Sequence, residues 1–170
     1  MPHFETLYDL LVEQLQDIYD AEHQLIEAMP RLVVAAKSPE LRKVLEDHHK
    51  ETLAHVSHLT EVFFNLNIKS VRKPCCAMNG LIREANEILN ATGNPDVIDA
   101  ALIAAVQRIE HYEIAAYGCV KAFASEEGFQ EVAKILEVTA KEEGASDKLL
   151  SKIAEGGMLR KSINKEAAKI

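Results

Sequence analysis

Residues 40–59 read ELRKVLEDHHKETLAHVSHL, and residues 131–150 repeat the pattern as EVAKILEVTAKEEGASDKLL. At a constant shift of 91 residues, with no gap, eight of the twenty aligned positions are identical, and one of them pairs Glu51 with Glu142. Shared helical patterning explains matched leucines, but it does not explain matched charged residues. The repeat therefore indicates two copies of one αα-hairpin.

A second pair of glutamates obeys the same shift, because Glu22 falls on Glu113. Within each copy the two glutamates are 29 residues apart, since 51 − 22 and 142 − 113 give the same number. Turn signals lie midway, at 37–39 in the first copy and at 127–128 in the second. Antiparallel helices place residues equidistant from their turn at the same height. All four glutamates are therefore predicted to lie in one layer near the middle of the helices.

Four segments carry apolar residues at alternating steps of three and four, which is the pattern of helices packed side by side. Ser38-Pro39 and Asn94-Pro95 each place a capping residue before proline, and they predict the starts of the second and third of these helices. The predicted interior positions along the four segments are Leu11, Leu15, Ile18, Glu22, Leu25, Met29 and Leu32; Leu41, Val44, His48, Glu51, His55, His58 and Val62; Ile98, Leu102, Val106, Ile109, Glu113, Ala116 and Val120; and Val132, Ile135, Thr139, Glu142, Ser146, Leu149 and Ile153.

Two short hairpins joined by one long connection form the topology of a four-helix bundle with a single crossover. The connection covers residues 67–95, and a short helix is predicted near 81–89. The sequence thus predicts an all-α, ferritin-like four-helix bundle over residues 1–158, followed by a C-terminal tail at 159–170.

The composition narrows the classes of partner. The 170 residues carry a formal net charge of −8, which argues against a nucleic-acid partner on electrostatic grounds. No apolar run reaches the length of a membrane span, and residues 1–10 lack the basic and apolar regions of a signal peptide. Three cysteines, two of them adjacent, make no disulfide framework. We therefore expect a protein of the reducing cytoplasm.

Four glutamates in the interior of one bundle need compensation. Burying a carboxylate costs several kcal/mol unless a partner offsets the cost, and four carboxylates at one level repel each other. No lysine or arginine occupies the predicted interior positions. Two divalent ions would neutralise four carboxylates, and bundle cores are where such pairs of ions are bound. A metal-free polar layer, and a rotated pattern with four surface glutamates, are the alternatives.

Further candidate ligands lie one helical turn from these glutamates. His55 follows Glu51 by four residues, and Glu110 precedes Glu113 by three. Carboxylate and imidazole ligands suit two ions of iron, with manganese or zinc as other options. The predicted metal ligands are Glu22, Glu51, His55, Glu110, Glu113 and Glu142.

The repeat also predicts how the two ions differ. Glu51 and Glu142 occupy equivalent positions, so they are predicted to bridge the ions. His55 matches Ser146, so only one ion is expected to have a nitrogen ligand, and the other is expected in an oxygen-only shell. His48 and His58, on the same helical face as His55, are further candidates.

Four motifs carry a family resemblance: LQDIYDAE at 15–22, Glu51 with His55, QRIEHYEIAAY at 107–117, and Glu142-Glu143. They resemble the YciE/YciF family of ferritin-like bacterial proteins, which are linked to stress responses. The resemblance covers residues 3–158. It implies a rubrerythrin-like bundle with a two-metal site, commonly a homodimer, but it supplies no reaction.

One departure from the wider ferritin-like pattern bears on chemistry. There a histidine follows the bridging glutamate by three residues, whereas this sequence has Ala54 and Ala145 at those positions. The departure therefore argues against oxidase chemistry of the ferritin and rubrerythrin kind, and it leaves the prediction of metal binding unchanged.

The leading functional expectation is a cytoplasmic two-iron carboxylate protein of oxidative or general stress that reacts with O₂ or peroxide. Two other functions stay open. One is a non-enzymatic structural or interaction protein that uses the metal pair to hold its fold, and the other is iron sequestration. Whether the protein is an enzyme is not decided by the sequence.

Overall fold

The computed structural model describes residues 3–156 and 161–169. Within these ranges the chain forms helices and no strands, which confirms the predicted all-α class. The helices, in chain order, are α1 (Leu7–Ala35), α2 (Pro39–Asn65), α3 (Cys76–Ile88), α4 (Pro95–Glu126), α5 (Gln130–Glu155) and α6 (Ile163–Ala167). None of the helices in the described part of the chain combines the length and the apolar character that a bilayer crossing requires.

The helix starts follow from local side-chain chemistry. Ser38 caps α2, its hydroxyl accepting the Leu41 amide, and Pro39 takes the first helical position. Asn94 caps α4 in the same way, ahead of Pro95. Both predicted cap-and-proline starts are confirmed.

The four long helices form the bundle. α1 packs on α2 and α4 packs on α5, and the two hairpins meet through α1 against α4 and α2 against α5. The crossover between the hairpins contains α3, which packs on α1 and α4. This arrangement confirms the predicted pair of hairpins joined by a long connection with a short helix.

The apolar core has two parts. One part lies toward the α1–α2 turn and includes Leu25, Met29 and Leu102. The other lies at the opposite end and includes Leu15, Phe63 and Tyr117. Glu22 and Glu113 lie between the two parts, since Ile18 and Tyr117 belong to one cluster and Leu25 and Ile109 to the other. A polar layer therefore crosses the middle of the bundle, at the height predicted from the repeat.

The interior positions predicted for α1 hold. In α2 and α5 alternate predicted positions hold, and the positions between them, 44, 51 and 58 in α2 and 135, 142 and 149 in α5, are displaced by one residue. The side chain of Glu51 is 49% exposed and that of Glu142 is 41% exposed, so their predicted interior location is wrong. Thr52 and Glu143 are buried instead, at 0% exposure. Both lie on the faces that the interior leucines define. The buried positions are Leu41, Leu45, His48, Thr52, His55, Leu59 and Val62 in α2, and Val132, Leu136, Thr139, Glu143, Ser146, Leu150 and Ile153 in α5.

A buried aspartate fixes the first hairpin turn on α4. The carboxylate of Asp99, 1% exposed, accepts the backbone N–H of Lys37 at 2.8 Å and that of Ser38 at 2.6 Å. Because an N–H bonded to a charged acceptor is strongly held, this contact sets the height of α1 and α2 relative to α4.

The C-terminal residues include α6, whose Ile163 packs into the apolar core beside α4 and α5. The predicted boundary between bundle and tail, at residues 158 and 159, lies outside the described residues.

Candidate metal centre

The polar layer consists of four carboxylates and two imidazoles, all between 0% and 2% exposed. Each of the four long helices contributes at least one of them. The members are Glu22 on α1, His48 and His55 on α2, Glu110 and Glu113 on α4, and Glu143 on α5.

Helix geometry explains why these residues meet. His48 and His55 are seven residues apart, which is two turns, so both rings leave the same face of α2. Glu110 and Glu113 are one turn apart on α4 and face the same way. Glu143 comes from α5, which packs on both α2 and α4, and therefore reaches the members contributed by each of them.

The ligand atoms form two groups that share one residue. His48, Glu110, Glu113 and Glu143 can each bring one donor atom within 4.8 Å of the others. Glu22, His55 and Glu143 form the second such group. Glu143 is common to both groups, so its carboxylate could donate to an ion held in either of them.

Short contacts show how closely the donors converge. In the second group, His55 Nδ1 lies 2.8 Å from Glu143 Oε1 and 3.7 Å from Glu22 Oε1. In the first group, His48 Nε2 lies 3.3 Å from Glu110 Oε1. The arrangement can hold metal ions.

Buried donor atoms without a hydrogen-bond partner indicate whether the polar layer is suited to bind metal ions. Buried carboxylate and imidazole atoms almost always have hydrogen-bond partners in folded proteins. Within the described residues, ten buried side-chain nitrogen or oxygen atoms lack one, and eight of the ten belong to the polar layer. These eight are Glu22 Oε2, His48 Nε2, His55 Nδ1, Glu110 Oε2, both carboxylate oxygens of Glu113 and both of Glu143.

The electrostatics agree with this fit. Burial raises the pKa of Glu22, Glu110 and Glu143 to about 8 in the protein without metal, and the neighbouring carboxylates contribute to the rise. Burial raises the pKa of Glu113 well above its usual range, and repulsion from Glu143 and Glu22 adds to this. Carboxyls that resist ionisation near neutral pH lack a compensating cation, which is what divalent ions would supply.

Tyr117 is a member of the surroundings that the sequence pattern did not single out. Its phenol is fully buried and donates a hydrogen bond of 2.5 Å to Glu22 Oε1. This contact orients the Glu22 carboxylate, so that its other oxygen, Oε2, is the one left without a partner.

The structure brings four of the six sequence-predicted ligands into the polar layer. These are Glu22, His55, Glu110 and Glu113.

The other two, Glu51 and Glu142, lie outside both groups of donors. Glu142 instead meets the outer nitrogen of His55 at 3.1 Å, and Glu51 lies 3.8 Å from the outer nitrogen of His48. Glu143 occupies the position shared by the groups, where the sequence had placed Glu51 and Glu142.

The sequence placed an imidazole beside only one half of the carboxylate frame, and the structure places one beside each half. His48 stands beside Glu110, so each group of donors contains one imidazole. The interior position of Thr52 also changes the comparison with the ferritin-like pattern, in which a histidine follows a glutamate by three residues. His55 follows the interior residue Thr52 by three positions, so the histidine spacing is kept while a threonine stands in the glutamate's place.

The comparisons with known proteins agree with the fold. Protein YciF of Escherichia coli (strain K12) is 38% identical over 164 residues, which are 96% of this chain and 99% of the relative. The crystal structure of the E. coli stress protein YciF superposes with a TM-score of 0.88 and covers 98% of this chain and 100% of that chain. YcfI from Rhodopseudomonas palustris superposes with a TM-score of 0.86 at 37% identity, over 88% of this chain and 96% of that chain.

The family model described as "Domain of unknown function (DUF892)" matches residues 6–168. Together with the near full-length similarity to YciF, this confirms the resemblance inferred from the sequence motifs. The chain belongs to the DUF892 family of YciF-like proteins.

Proposed function

We propose that this protein binds two divalent transition-metal ions in the polar layer. One ion would be held by Glu22, His55 and Glu143, and the other by His48, Glu110, Glu113 and Glu143. The observation that carries the proposal is the set of eight buried, unpartnered donor atoms that converge on two positions.

The donors favour particular ions. Four carboxylates balance the charge of two +2 ions, and one imidazole per ion adds a nitrogen ligand. Mixed oxygen and nitrogen shells without sulfur suit iron and manganese, and also zinc. We propose iron as the native metal, because carboxylate-rich bundle cores that join Glu and His from several helices are the sites of paired iron ions.

The proposed activity is reaction with a small oxidant, O₂ or peroxide, as part of a cytoplasmic response to oxidative or general stress. A bound iron pair would supply the electrons for such a reaction. The chain supplies a dry compartment, because apolar clusters close the polar layer on both sides. Tyr117 holds Glu22 by its hydrogen bond and so limits the movement of that ligand. The similar protein of E. coli is described as a stress protein, which supports the assignment to stress.

A purely structural role of the metal is the second candidate. The donors come from all four long helices, so two ions would cross-link the bundle. Loss of peroxide would separate the candidates. Ferrous protein that becomes ferric while it reduces one peroxide to water for each pair of iron ions supports the first. Iron that raises the melting temperature without consuming peroxide supports the second.

We also propose a homodimer. Phe64 is 81% exposed and Val34 is 76% exposed, and an apolar side chain exposed to this extent is a candidate for burial in an interface. Light scattering should give twice the chain mass of 18.9 kDa. A monomer at micromolar concentration would overturn the dimer, and a shell of many subunits would favour iron sequestration.

The direct test of metal binding is an anaerobic titration of the metal-free protein with ferrous iron, in which calorimetry measures the binding. Two equivalents per chain are expected. Glu143→Gln should reduce binding of both ions, whereas Glu51→Gln should retain two. A wild-type protein that binds no iron, manganese or zinc would refute the proposal.

A further inference from the structure

Each histidine of the polar layer has one nitrogen turned inward and one turned outward. For His55 the outer atom is Nε2, which forms a hydrogen bond of 3.1 Å with Glu142 Oε2. The inner atom, Nδ1, makes no hydrogen bond, although Glu143 Oε1 lies 2.8 Å away. A carboxylate can only accept a hydrogen bond, so Glu142 places the ring proton on Nε2 and leaves a lone pair on Nδ1.

The tautomer of His48 follows from a different partner. The hydroxyl of Ser146 donates its single hydrogen to Glu110 Oε1 at 3.0 Å. Its contact of 3.3 Å with His48 Nδ1 therefore requires the ring to donate. The proton lies on Nδ1, and Nε2, which has no hydrogen-bond partner, presents its lone pair to the interior.

We propose that Glu142 and Ser146 are positioning residues that select the metal-facing nitrogen, Nδ1 of His55 and Nε2 of His48. This inference rests on the proposed metal function, and it assigns roles to two residues outside the ligand groups. It also gives Glu142 a role on the outer side of His55, where the repeat had suggested a bridging ligand.

The two partners differ in charge, so the two histidines differ in strength as ligands. A carboxylate hydrogen-bonded to the outer nitrogen makes an imidazole a more basic ligand and fixes its orientation. A neutral hydroxyl does this more weakly. The His55 site has only one imidazole and two carboxylates as ligands. We expect the hydrogen bond to Glu142 to raise the affinity of this site for its ion.

The chain offers two matched controls. Glu51 is the repeat counterpart of Glu142, but its carboxylate lies 3.8 Å from His48 Nδ1, beyond hydrogen-bond distance. Glu137 lies on the same helix as Glu142 with a similar side-chain exposure, 45% against 41%, and pairs with Lys141 at the surface. Glu51 thus tests the loss of a charge near the outer nitrogen of His48 at ion-pair distance, and Glu137 tests the loss of a charge that pairs with Lys141.

The first measurement uses the metal-free protein and long-range ¹H–¹⁵N NMR, which reports which ring nitrogen carries the proton. Wild type should show His55 with its proton on Nε2 and His48 with its proton on Nδ1. Glu142→Ala should mix the tautomers of His55 only, and Ser146→Ala those of His48 only. Wild-type spectra with the opposite tautomers, or variants indistinguishable from Glu137→Ala, would overturn the proposal.

The second measurement is a titration of the same proteins with Co²⁺ alone, followed by its visible spectrum. Glu142→Ala should weaken one ion by about 10- to 100-fold, the range seen when an outer partner of a ligating histidine is lost. Glu142→Gln keeps an acceptor oxygen and should recover part of the loss, and Glu51→Ala should change affinity less than threefold. Equal isotherms for Glu142→Ala and Glu137→Ala would contradict the inference. A wild type that binds no Co²⁺ or iron would instead refute the proposed function, and the NMR result on the metal-free protein would still decide the positioning roles.

Discussion

Replacing the shared carboxylate by its neutral isostere, Glu143→Gln, should stabilise the metal-free protein and reduce its affinity for both ions. Burial raises the pKa of Glu143 from 4.5 to about 8 in the folded state. The folded protein therefore keeps a proton that the unfolded chain releases above pH 4.5. Because the folded state binds this extra proton, Glu143 contributes most favourably to the free energy of unfolding below pH 4.5. This contribution is lost as the pH rises toward 8.

The magnitude follows from this difference in pKa. One shifted carboxyl changes the free energy of unfolding by about 1.4 kcal/mol per pH unit inside the window. At pH 5 the penalty is about 1 kcal/mol, and at pH 8 it approaches about 4 kcal/mol. Glutamine does not ionise, so the variant lacks this penalty. The variant should therefore be more stable than wild type by about 1 kcal/mol at pH 5 and by about 4 kcal/mol at pH 8, so that the difference grows by about 3 kcal/mol between the two pH values.

Urea unfolding of metal-free wild type and variant at pH 5 and pH 8 measures this difference. Glu137→Gln is the control, because Glu137 is exposed on the same helix, and it should change stability by less than about 1 kcal/mol at either pH. A Glu143→Gln variant that is less stable than wild type at pH 8 would show that Glu143 is ionised and paired in the absence of metal. That result would refute the argument that the layer lacks compensating cations.

The remaining predictions concern single members of the layer and its support. Glu22→Gln and Glu113→Gln each remove a carboxylate from one group, so each should weaken one ion and spare the other in a ferrous titration; equal loss of both ions would contradict the two groups. Tyr117→Phe removes a hydrogen bond that lowers the pKa of Glu22, so metal binding should weaken and move to higher pH; an unchanged pH profile of binding would count against this role. Asp99→Ala leaves two turn amides without their acceptor and should lower the free energy of unfolding by about 2–4 kcal/mol in urea, and a loss below about 1 kcal/mol would show that water replaces it.

The repeat explains why the fold could be predicted from the sequence. Two hairpins with a shift of 91 residues, and cap-and-proline pairs at Ser38-Pro39 and Asn94-Pro95, define four long helices and their turns. The height of the polar layer also follows, because it depends only on distance from the turns. These features depend on residue spacing along the chain, which the sequence contains directly.

Spacing alone did not determine which of two neighbouring residues in the middle of α2 and α5 faces the interior. Neighbouring side chains are separated by a rotation of only about 100° about the helix axis. In α5 Glu142 and Glu143 are both glutamate, so residue type does not separate them. A signal was nevertheless present. Leu136 and Leu150 lie seven residues on either side of position 143, and a large apolar pair at that spacing marks the buried face.

The same signal holds in α2, where Leu45 and Leu59 flank Thr52 at seven residues. The matched glutamate at position 51 favoured the other choice, because burial of a threonine gave no sign of metal chemistry. His48 belongs to the polar layer because its ring reaches Glu110 on α4. The distance between two helices depends on how they pack, and residue spacing along one helix does not predict it.

Anomalous diffraction from crystals of the iron-loaded protein tests the central claim most directly, because it locates each ion and identifies its neighbours. Two peaks are expected at the iron absorption edge, both beside Glu143. One should lie next to His55 Nδ1 and Glu22, and the other next to His48 Nε2 and the two α4 glutamates. A single peak, no peak in the polar layer, or iron bound at Glu51 on the surface would contradict the two-ion centre.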